Sequence, residues 1–585
     1  MSTILGVSGL AQSVGFKRAH WPGLEEREYR ILQGFDSAAA LVVDGVVVAA
    51  AAEERFNRQK QTGDFPVHAI KYCLEQAGMS LTDVEEIAHC FDYAPFGEIF
   101  SLDATSAMLY EEVLCRQAFL TQVRRHCPDF PAERVHQVNH HLSHAASAYF
   151  TSGWDECLVV VLDAMGETQS GSIFHGSRGN LEKIREISAN DSLGILYSLV
   201  TYHLGFDFNS DEYKIMGLAP YGDPRQFEAV FHQMVECRPD GSVRIPILRL
   251  NRTRPERENY LQTREWLSRN LMPRREPGDE IRQVDCDVAA ALQATLNRAI
   301  LHICGHFGAS TGLRKIAMAG GVALNCSANG KLTRSGLFDE VYVQPAAGDD
   351  GAALGAALHR ASLKGEIINK RFPVPFLGPS HPASEIDEAL RAFAGAIEVT
   401  HFESVEDTCF RAARMIQEGK VVAWYRGRME YGPRALGNRS ILADPSNPEM
   451  RDRVNAMVKK REAFRPFAPA VSIEEVHRWF DVEPMTALPY MIATVNVREE
   501  YRATLPAITH VDGSARVQTV ASHDNPAFHS LLKAVGRIAG REIVLNTSFN
   551  VKGQPIVNTP HEAIETFLST GIDCLFIENN LVSRA

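Results

Sequence analysis

The sequence predicts an α/β fold with an internal duplication, and three stretches predict it. In "DSAAALVVDGVVVAAAAEERF" (36–56) two apolar runs flank Asp44-Gly45, the strongest short-range signal for a two-residue hairpin. "CLVVVLDAMGETQSGSIFHG" (157–176) repeats the plan: a buried apolar strand, an acidic turn with glycine, and an alternating return strand. "RKIAMAGGVALNCSANGKL" (314–332) runs a strand into Gly320-Gly321 and then a helix.

Taken in order, the chain opens on the strand "TILGVSG" (3–9). A charged, aromatic segment (11–33) follows and reads as a loop or short helix inserted before the first hairpin. After the second hairpin and the Gly-Gly turn comes "EVYVQPAAGDDGAALGAALHR" (340–360), a strand with an acidic-glycine turn and an Ala/Gly-rich helix. Two acidic-turn hairpins plus a strand–Gly-Gly–helix unit suggest a duplicated nucleotide fold of the actin and sugar-kinase type. There, hairpins hold phosphates between two lobes and Gly-Gly lets the backbone approach the adenosine. Gly-Gly alone more often marks a tight packing turn, so the ordered set carries the inference. Residues 252–280, charged and with three prolines, read as surface helix and loop. The proline-rich "KRFPVPFLGPSHPASE" (370–385) is the best boundary. It sets a first domain at 1–370, a linker at 371–385 and a second α/β domain at 386–585.

At 585 residues the chain exceeds one ordinary core. Hydrophobic content of 45% and charge of 23% are ordinary globular values, and a net charge of −12 argues against a general nucleic-acid binder. No apolar stretch reaches about 18 residues, and the first residues lack a basic n-region and a long h-region. The 11 cysteines are scattered without a C-x-x-C pair, which suits reduced thiols. The expectation is a cytoplasmic protein with neither membrane nor nucleic acid as partner.

"HQVNHHLSHAASAYF" (136–150) concentrates four histidines in nine residues, against 21 in the whole chain. In a helix His140 and His144, at i and i+4, share one face; His141 and His144 are also neighbours. Two imidazoles on one face suit a divalent metal but need further ligands. Asp163 at the end of "VVVLD" and Asp349 in "AGDDG" each stand at a strand end. Two histidines with two carboxylates would take Fe(II), Zn or Mn without choosing among them. Spacing alone leaves an incidental pair open.

Nine stretches in order from residue 36 to 557 carry a resemblance: "DSAAALVVDG", "AAAEERFNRQK", "HHLSHAASAYF", "EYKIMGLAPYGDP", "AGGVALNCSANGKL", "QPAAGDDGAALGAA", "YGPRALGNRSILADP", "KKREAFRPFAP" and "LNTSFNVKGQPIV". Together they resemble the O-carbamoyltransferases of nodulation-factor and antibiotic biosynthesis, including those acting on tobramycin and on cephems. The resemblance implies two N-terminal lobes similar to the universal tRNA threonylcarbamoyladenosine transferase, then a YrdC-like domain. It implies that ATP and carbamoyl phosphate give carbamoyl-adenylate, and that the carbamoyl group passes to a hydroxyl of a small-molecule acceptor.

Carried over by position, the resemblance makes His140, His144, Asp163 and Asp349 metal ligands, with Fe2+ first among candidate ions beside the Mg2+ that accompanies ATP. His141 becomes an outer neighbour or a packed one. In the C-terminal part, Lys459, Arg465 and Ser548 would act on carbamoyl phosphate, with Arg434, Arg516 and Asn546 binding it. An apolar setting around "AFRPFAPAV" would bury Arg465 and demand an anion, although basic runs are usually solvated faces. Arg439 could be structural, capping the strand "SILAD". The adenylate would lie in the N-terminal lobes, with Gly320 and Gly321 admitting it, Asn325 supplying a polar contact, and Lys60 or Lys214 reaching phosphate. Lys214 could instead pair with Glu212.

One departure stands out: the family's His-Asp-Ser/Ala motif here reads "GFDSAAAL", with Phe35 in place of the histidine. Asp36 or a metal-bound group could then deprotonate the acceptor, His20 of the 11–33 segment could replace the imidazole, or activity is altered. Two other readings remain: a threonylcarbamoyl-type tRNA modifier, and a non-transferring ATP-dependent binding module.

Overall fold

The structure, a computed structural model, describes residues 2–366 and 375–585. Asp44 and Gly45 both take left-handed backbone (φ 47° and 74°), as a type I′ turn requires, and Val43 pairs with Val46 across them. The predicted hairpin therefore forms, as β2 (Ala38–Val43) and β3 (Val46–Ala52), next to β1 (Thr3–Val7). With β4 (Glu86–His89) and β5 (Val135–Gln137) they make a five-stranded sheet ordered β3-β2-β1-β4-β5. β1, β2 and β3 are antiparallel to one another in turn, whereas β4 and β5 run parallel to β1.

The second hairpin repeats this plan. β6 (Glu156–Gly166), β7 (Gln169–Ser177) and β8 (Asn180–Ser188) form an antiparallel meander. β9 (Lys315–Ala319) and β10 (Glu340–Val343) then add in parallel to β6, giving β8-β7-β6-β9-β10. The same strand order and the same mixture of directions thus occur twice.

Two helices lie between these sheets: α1 (His140–Thr151), packed on β6 and β9, and α2 (Asp349–Leu363), packed on β1 and β2. They also pack on each other, through positions where no side chain fits. A Cβ on Gly355 would stand 1.7 Å from Ser143 O, and one on Gly6 would stand 1.9 Å from Ala353 O. The Ala/Gly composition of α2 is therefore what allows two helices and a strand to approach so closely.

Segment 11–33 forms a helix, Ser13–His20, and a 3-10 turn, Glu26–Arg30. Segment 252–280 is surface helix and loop over most of its length, yet its helix Leu261–Asn270 buries Thr263 and Leu267 completely. A charged sequence hides this because two buried positions suffice to seat a short helix.

By internal contacts the chain forms two units. The first is Met1–Glu54 with Gln61–Pro373, and the second is Arg55–Lys60 with Val374–Ala585. The second unit holds an eight-stranded mixed sheet. In order across it the strands are Ile397–His401, Asn580–Arg584, Cys574–Ile577, Val422–Tyr425, Arg439–Ala443, Ile543–Ser548, Ala468–Ser472 and Gln518–Val520. Alternation divides its side chains between two cores. Val422, Trp424 and Leu442 pack with helices Val405–Gln417 and Pro526–Ala539, while Ala423, Tyr425 and Ile441 pack with Ala383–Ala392 and Pro560–Leu568.

Of the expected linker 371–385, residues 371–374 lie outside the described residues. The rest is tied down rather than free. Tyr431 N–H donates to Pro375 O (2.6 Å), Gly378 N–H to Met429 O (2.9 Å) and Met429 N–H to Pro379 O (2.8 Å). Prolines can edge a sheet through their carbonyls, so a proline-rich stretch need not be a spacer. The short segment Arg55–Lys60 is held within the second unit by Arg55 to Gly432 O (3.0 Å) and by Arg58 to Ile556 O (2.8 Å). No helix among the described residues is long and apolar enough to cross a membrane.

Candidate functional site

Asn139 caps α1, its Oδ1 accepting from Leu142 N–H (3.1 Å), and the helix so started turns His140 and His144 to one face. Asp163 stands near the end of β6, just past Leu162 where the regular pairing with β7 breaks off, and α2 begins at Asp349. These three element ends converge inside the first unit. One candidate ligand atom from each of His140, His144, Asp163 and Asp349 lies within 4.8 Å of all the others. His140 Nε2 stands 3.1 Å from His144 Nε2, 3.3 Å from Asp163 Oδ2 and 3.4 Å from Asp349 Oδ1. His144 Nε2 is 3.6 Å from Asp349 Oδ1 and 3.9 Å from Asp163 Oδ2. Donors about 2.1 Å from one ion would sit roughly 3.0–3.5 Å apart, so this spacing fits a single transition metal.

The surroundings fit it too. His140 Nδ1 donates to Cys90 O (3.2 Å), which leaves Nε2 as the atom facing the cluster. Burial works against an imidazolium, yet Asp349 and Asp163 hold His140 well above its usual pKa. Burial likewise works against both carboxylates, yet the imidazoles hold Asp163 and Asp349 below theirs. Two carboxylates held in their charged form beside two buried imidazoles describe a cation site. The donor set, two nitrogens and two oxygens, suits a divalent first-row metal. His141 lies outside it: its Nδ1 pairs with Ser172 Oγ (3.1 Å), and burial pushes it down to about 3.

Gly320 and Gly321 belong to this centre through backbone. Gly320 is left-handed (φ 90°), and a Cβ there would meet Leu162 O at 2.2 Å. Gly321 N–H donates to Asp163 Oδ1 (3.0 Å), leaving Oδ2 to face the histidines. Asn325 is turned inward: its Oδ1 caps the following helix at Ala328 N–H (3.0 Å), and its Nδ2 donates to Gln293 Oε1 (3.1 Å). The contact expected from it is therefore a helix cap. Lys214 pairs with Asp211 (2.8 Å), whereas Glu212 accepts from Ser198 Oγ (2.6 Å). The ammonium thus has Asp211, three residues back, as a partner where the sequence suggested Glu212.

Asp36 takes left-handed backbone (φ 54°). Burial first, then the charges of Asp350, Glu54 and Asp349, hold its carboxyl well above the usual range. Phe35 is buried, with the Arg30 guanidinium 5.0 Å from its ring centre. His20 packs at a tilt against Phe16, ring centres 4.1 Å apart.

The second unit gathers cations. A π-helical turn, Asn455–Lys459, ends where Lys460 becomes left-handed (φ 43°). It delivers the Lys459 ammonium to four neutral oxygens: Ser548 O (2.5 Å) and Oγ (3.2 Å), and Asn550 O (2.9 Å) and Oδ1 (2.8 Å). Burial, then Arg461, Arg465 and Lys60, press its pKa well below the usual lysine value. Lys60, assigned to the adenylate from sequence, is thus placed within the second unit, beside this cluster. Arg465 pairs with Glu462 (3.4 Å), and Ser548 Oγ donates to Asn550 Oδ1 (2.6 Å). Arg434 and Arg516 are half-buried. Asn546 is buried and donates to Gln518 Oε1 (2.9 Å).

Arg439 is structural, as one reading of the sequence allowed. It is fully buried, stacks 3.7 Å over Tyr425 and donates to carbonyls of Arg426, Gly427 and Pro379. Two residues went unnoticed in the sequence. Glu430 Oε1 accepts from the N–H groups of Leu436, Asn438 and Arg439 (2.7, 2.9 and 3.2 Å) and so shapes the loop carrying Arg434. Glu167, in the turn of the second hairpin, accepts from His140 N–H (2.9 Å). The acidic turn signalled its position but not its partner.

Two family models match the chain: carbamoyltransferase N-terminus over residues 32–96 and 97–358, and carbamoyltransferase C-terminus over 413–584. An uncharacterized protein of Synechocystis sp. is 38% identical, over 94% of this chain and 95% of its own length. Nodulation protein NolNO of Sinorhizobium fredii is 39% identical, over 94% of this chain and 79% of its own. A 3'-hydroxymethylcephem-O-carbamoyltransferase of Amycolatopsis lactamdurans is 36% identical over 46% of this chain and 48% of its own.

Proposed function

The chain belongs to the carbamoyltransferase family, and from that premise we propose that it is an ATP-dependent O-carbamoyltransferase working through carbamoyl-adenylate. The overall chemistry balances in three steps. Carbamoyl phosphate and water give carbamate and phosphate; carbamate and ATP give carbamoyl-AMP and pyrophosphate; a small-molecule hydroxyl then takes the carbamoyl group and releases AMP. The first step falls to the second unit, and the latter two to the first.

The observation that carries the reading is Lys459. An ammonium buried among neutral oxygens, with Arg461, Arg465 and Lys60 as its charged neighbours, is costly until an anion joins it. A small phosphate dianion supplies that charge, with arginine forks matching its oxygens and lysine adding a point charge. Arg434, Arg516, Asn546 and Ser548 would complete the pocket.

In the first unit His140, His144, Asp163 and Asp349 would hold a divalent transition metal, iron among the candidates. Such an ion supplies a Lewis acid for a phosphoryl or carbonyl oxygen. The chain's own groups do the rest. Gly321 N–H fixes Asp163, and Asp36, whose carboxyl is held above its usual range by burial and by the charges of Asp350, Glu54 and Asp349, is the stronger base that would take the acceptor's proton. Asp36 thereby fills the role left open by Phe35. With its net charge of −12 and its matches to the carbamoyltransferase N- and C-terminal models, the chain is assigned a small hydroxylated acceptor rather than tRNA.

Purified protein with ATP, Mg2+ and carbamoyl phosphate, without acceptor, should release pyrophosphate and form carbamoyl-AMP detectable by mass spectrometry. Arg465→Ala should abolish both. ATP hydrolysis indifferent to carbamoyl phosphate would overturn the reading in favour of a nucleotide-driven binding module.

A further inference from the structure

His140 is held from every side, whereas its partner is not. Phe91 stacks flat on its ring (4.2 Å, 9°), and Cys90 O accepts a hydrogen bond from its Nδ1. A Cβ on Gly166 would reach within 2.2 Å of its Cδ2. His144, by contrast, has a buried Nδ1 without a hydrogen-bond partner. The backbone of His140 is clamped as well, by the carboxylate of Glu167.

Glu167 is 2% exposed and left-handed (φ 51°), two facts that cost free energy and require a return. Its Oε1 accepts from His140 N–H (2.9 Å) and from Asp92 N–H (2.9 Å). Its Oε2 accepts from Asn139 Nδ2 (2.8 Å). Asn139 is the residue that caps α1, so one carboxylate holds the first helical N–H, the cap side chain and the loop after β4. An anion at a helix start is also favoured by the helix dipole.

Position in the chain gives this contact its meaning. Glu167 follows Asp163 by four residues in the same hairpin, so it joins the strand end that carries one ligand to the helix start that carries two. We propose that Glu167 is a positioning residue of the metal centre: it locks the start of α1 onto the β6–β7 turn and so fixes the His140–Asp163 distance before any ion arrives. The proposal rests on the metal reading of this site. Hydrogen-bond partners that orient metal ligands commonly carry 10–100-fold in metal affinity.

The test is titration of the metal-free protein with Co2+ alone, followed by visible absorption, with Mn2+ competition as a second ion. Glu167→Ala is expected to raise the dissociation constant about 10–100-fold. Glu167→Gln keeps the shape and one acceptor but turns a donor toward Asn139 Nδ2, so a smaller rise with an altered Co2+ spectrum is expected. Folded variants that match wild type in affinity and spectrum would overturn the proposal. So would a Glu167→Gln protein that fails to fold even with saturating Co2+, since Glu167 would then serve general stability. Refolding driven by Co2+ would support it. Wild-type protein and His144→Ala run alongside separate the two ideas. If wild type binds no Co2+, the metal reading falls and this proposal with it; if wild type binds and Glu167 is neutral, only the positioning role falls.

Discussion

Asp163 divides its work between its two oxygens, Oδ1 taking Gly321 N–H at 3.0 Å and Oδ2 facing His140 Nε2 at 3.3 Å. Asp163→Asn preserves the first contact and removes the charge from the second. It should therefore weaken Co2+ binding by more than about 100-fold, beyond the range typical of outer partners, while circular dichroism shows an intact fold. The residues that were legible in the sequence at this scale are those whose spacing encodes geometry. His140 and His144 share a face because they are four apart in a helix, and Asp163 and Asp349 mark element ends. Orientation about a turn is not encoded that way. Gly320-Gly321 and Asn325 both lie where expected, yet one donates a backbone N–H to a ligand carboxylate and the other caps a helix. Lys60 escaped for a different reason: six residues between two first-unit elements pack with the second unit, and no local pattern announces a long-range contact.

At the scale of elements, the proposed metal centre depends on how closely α2 approaches α1, and Gly355 sets that approach. Gly355→Ala would put a methyl carbon 1.7 Å from Ser143 O, so the helices must separate. A loss of about 1–3 kcal/mol is expected from overpacking, read by urea denaturation, with weaker Co2+ binding because Asp349 and His144 ride on the two helices. The inserted helix Ser13–His20 offers a pH signature. Lys17 is buried and donates to Ile31 O (2.6 Å) and Glu258 O (2.7 Å). Burial lowers it to about 8, against the pull of Glu258. Between about pH 8 and its unfolded value near 10.5 the unfolded chain holds the extra proton, so the site's contribution to stability rises with pH. It should rise by about 3 kcal/mol across that window, as the difference in unfolding free energy between wild type and Lys17→Met; a flat difference would contradict the burial of a charged lysine. The two hairpins were readable because alternation and Asp-Gly are local signals. The pairing of 375–379 with 429–431 was not, since prolines mask a segment that bonds mainly through its carbonyls, with Gly378 N–H as a donor.

Across the whole molecule, the division into two units separates the proposed chemistry into parts that can be removed one at a time. The proposed metal ligands all belong to the first unit and the buried lysine to the second. Lys459→Met removes the ammonium held by the four-oxygen nest, so phosphate release from carbamoyl phosphate should fall by about 100-fold or more, in line with loss of one preorganised charge. The same variant, given carbamate through concentrated ammonium bicarbonate, should still release pyrophosphate from ATP, because that step uses none of the second unit's cations. Asp163→Asn should behave in the opposite way, releasing phosphate from carbamoyl phosphate within a few-fold of wild type while producing no pyrophosphate from either carbamate source. The pair of variants thus reads the assignment of steps to units independently of the acceptor. If each variant lost both activities, the two basic ideas, a carbamoyl phosphate pocket around Lys459 and an adenylating centre around Asp163, would have to merge into one site, and the separate burial of each charge cluster within its own unit argues against that result.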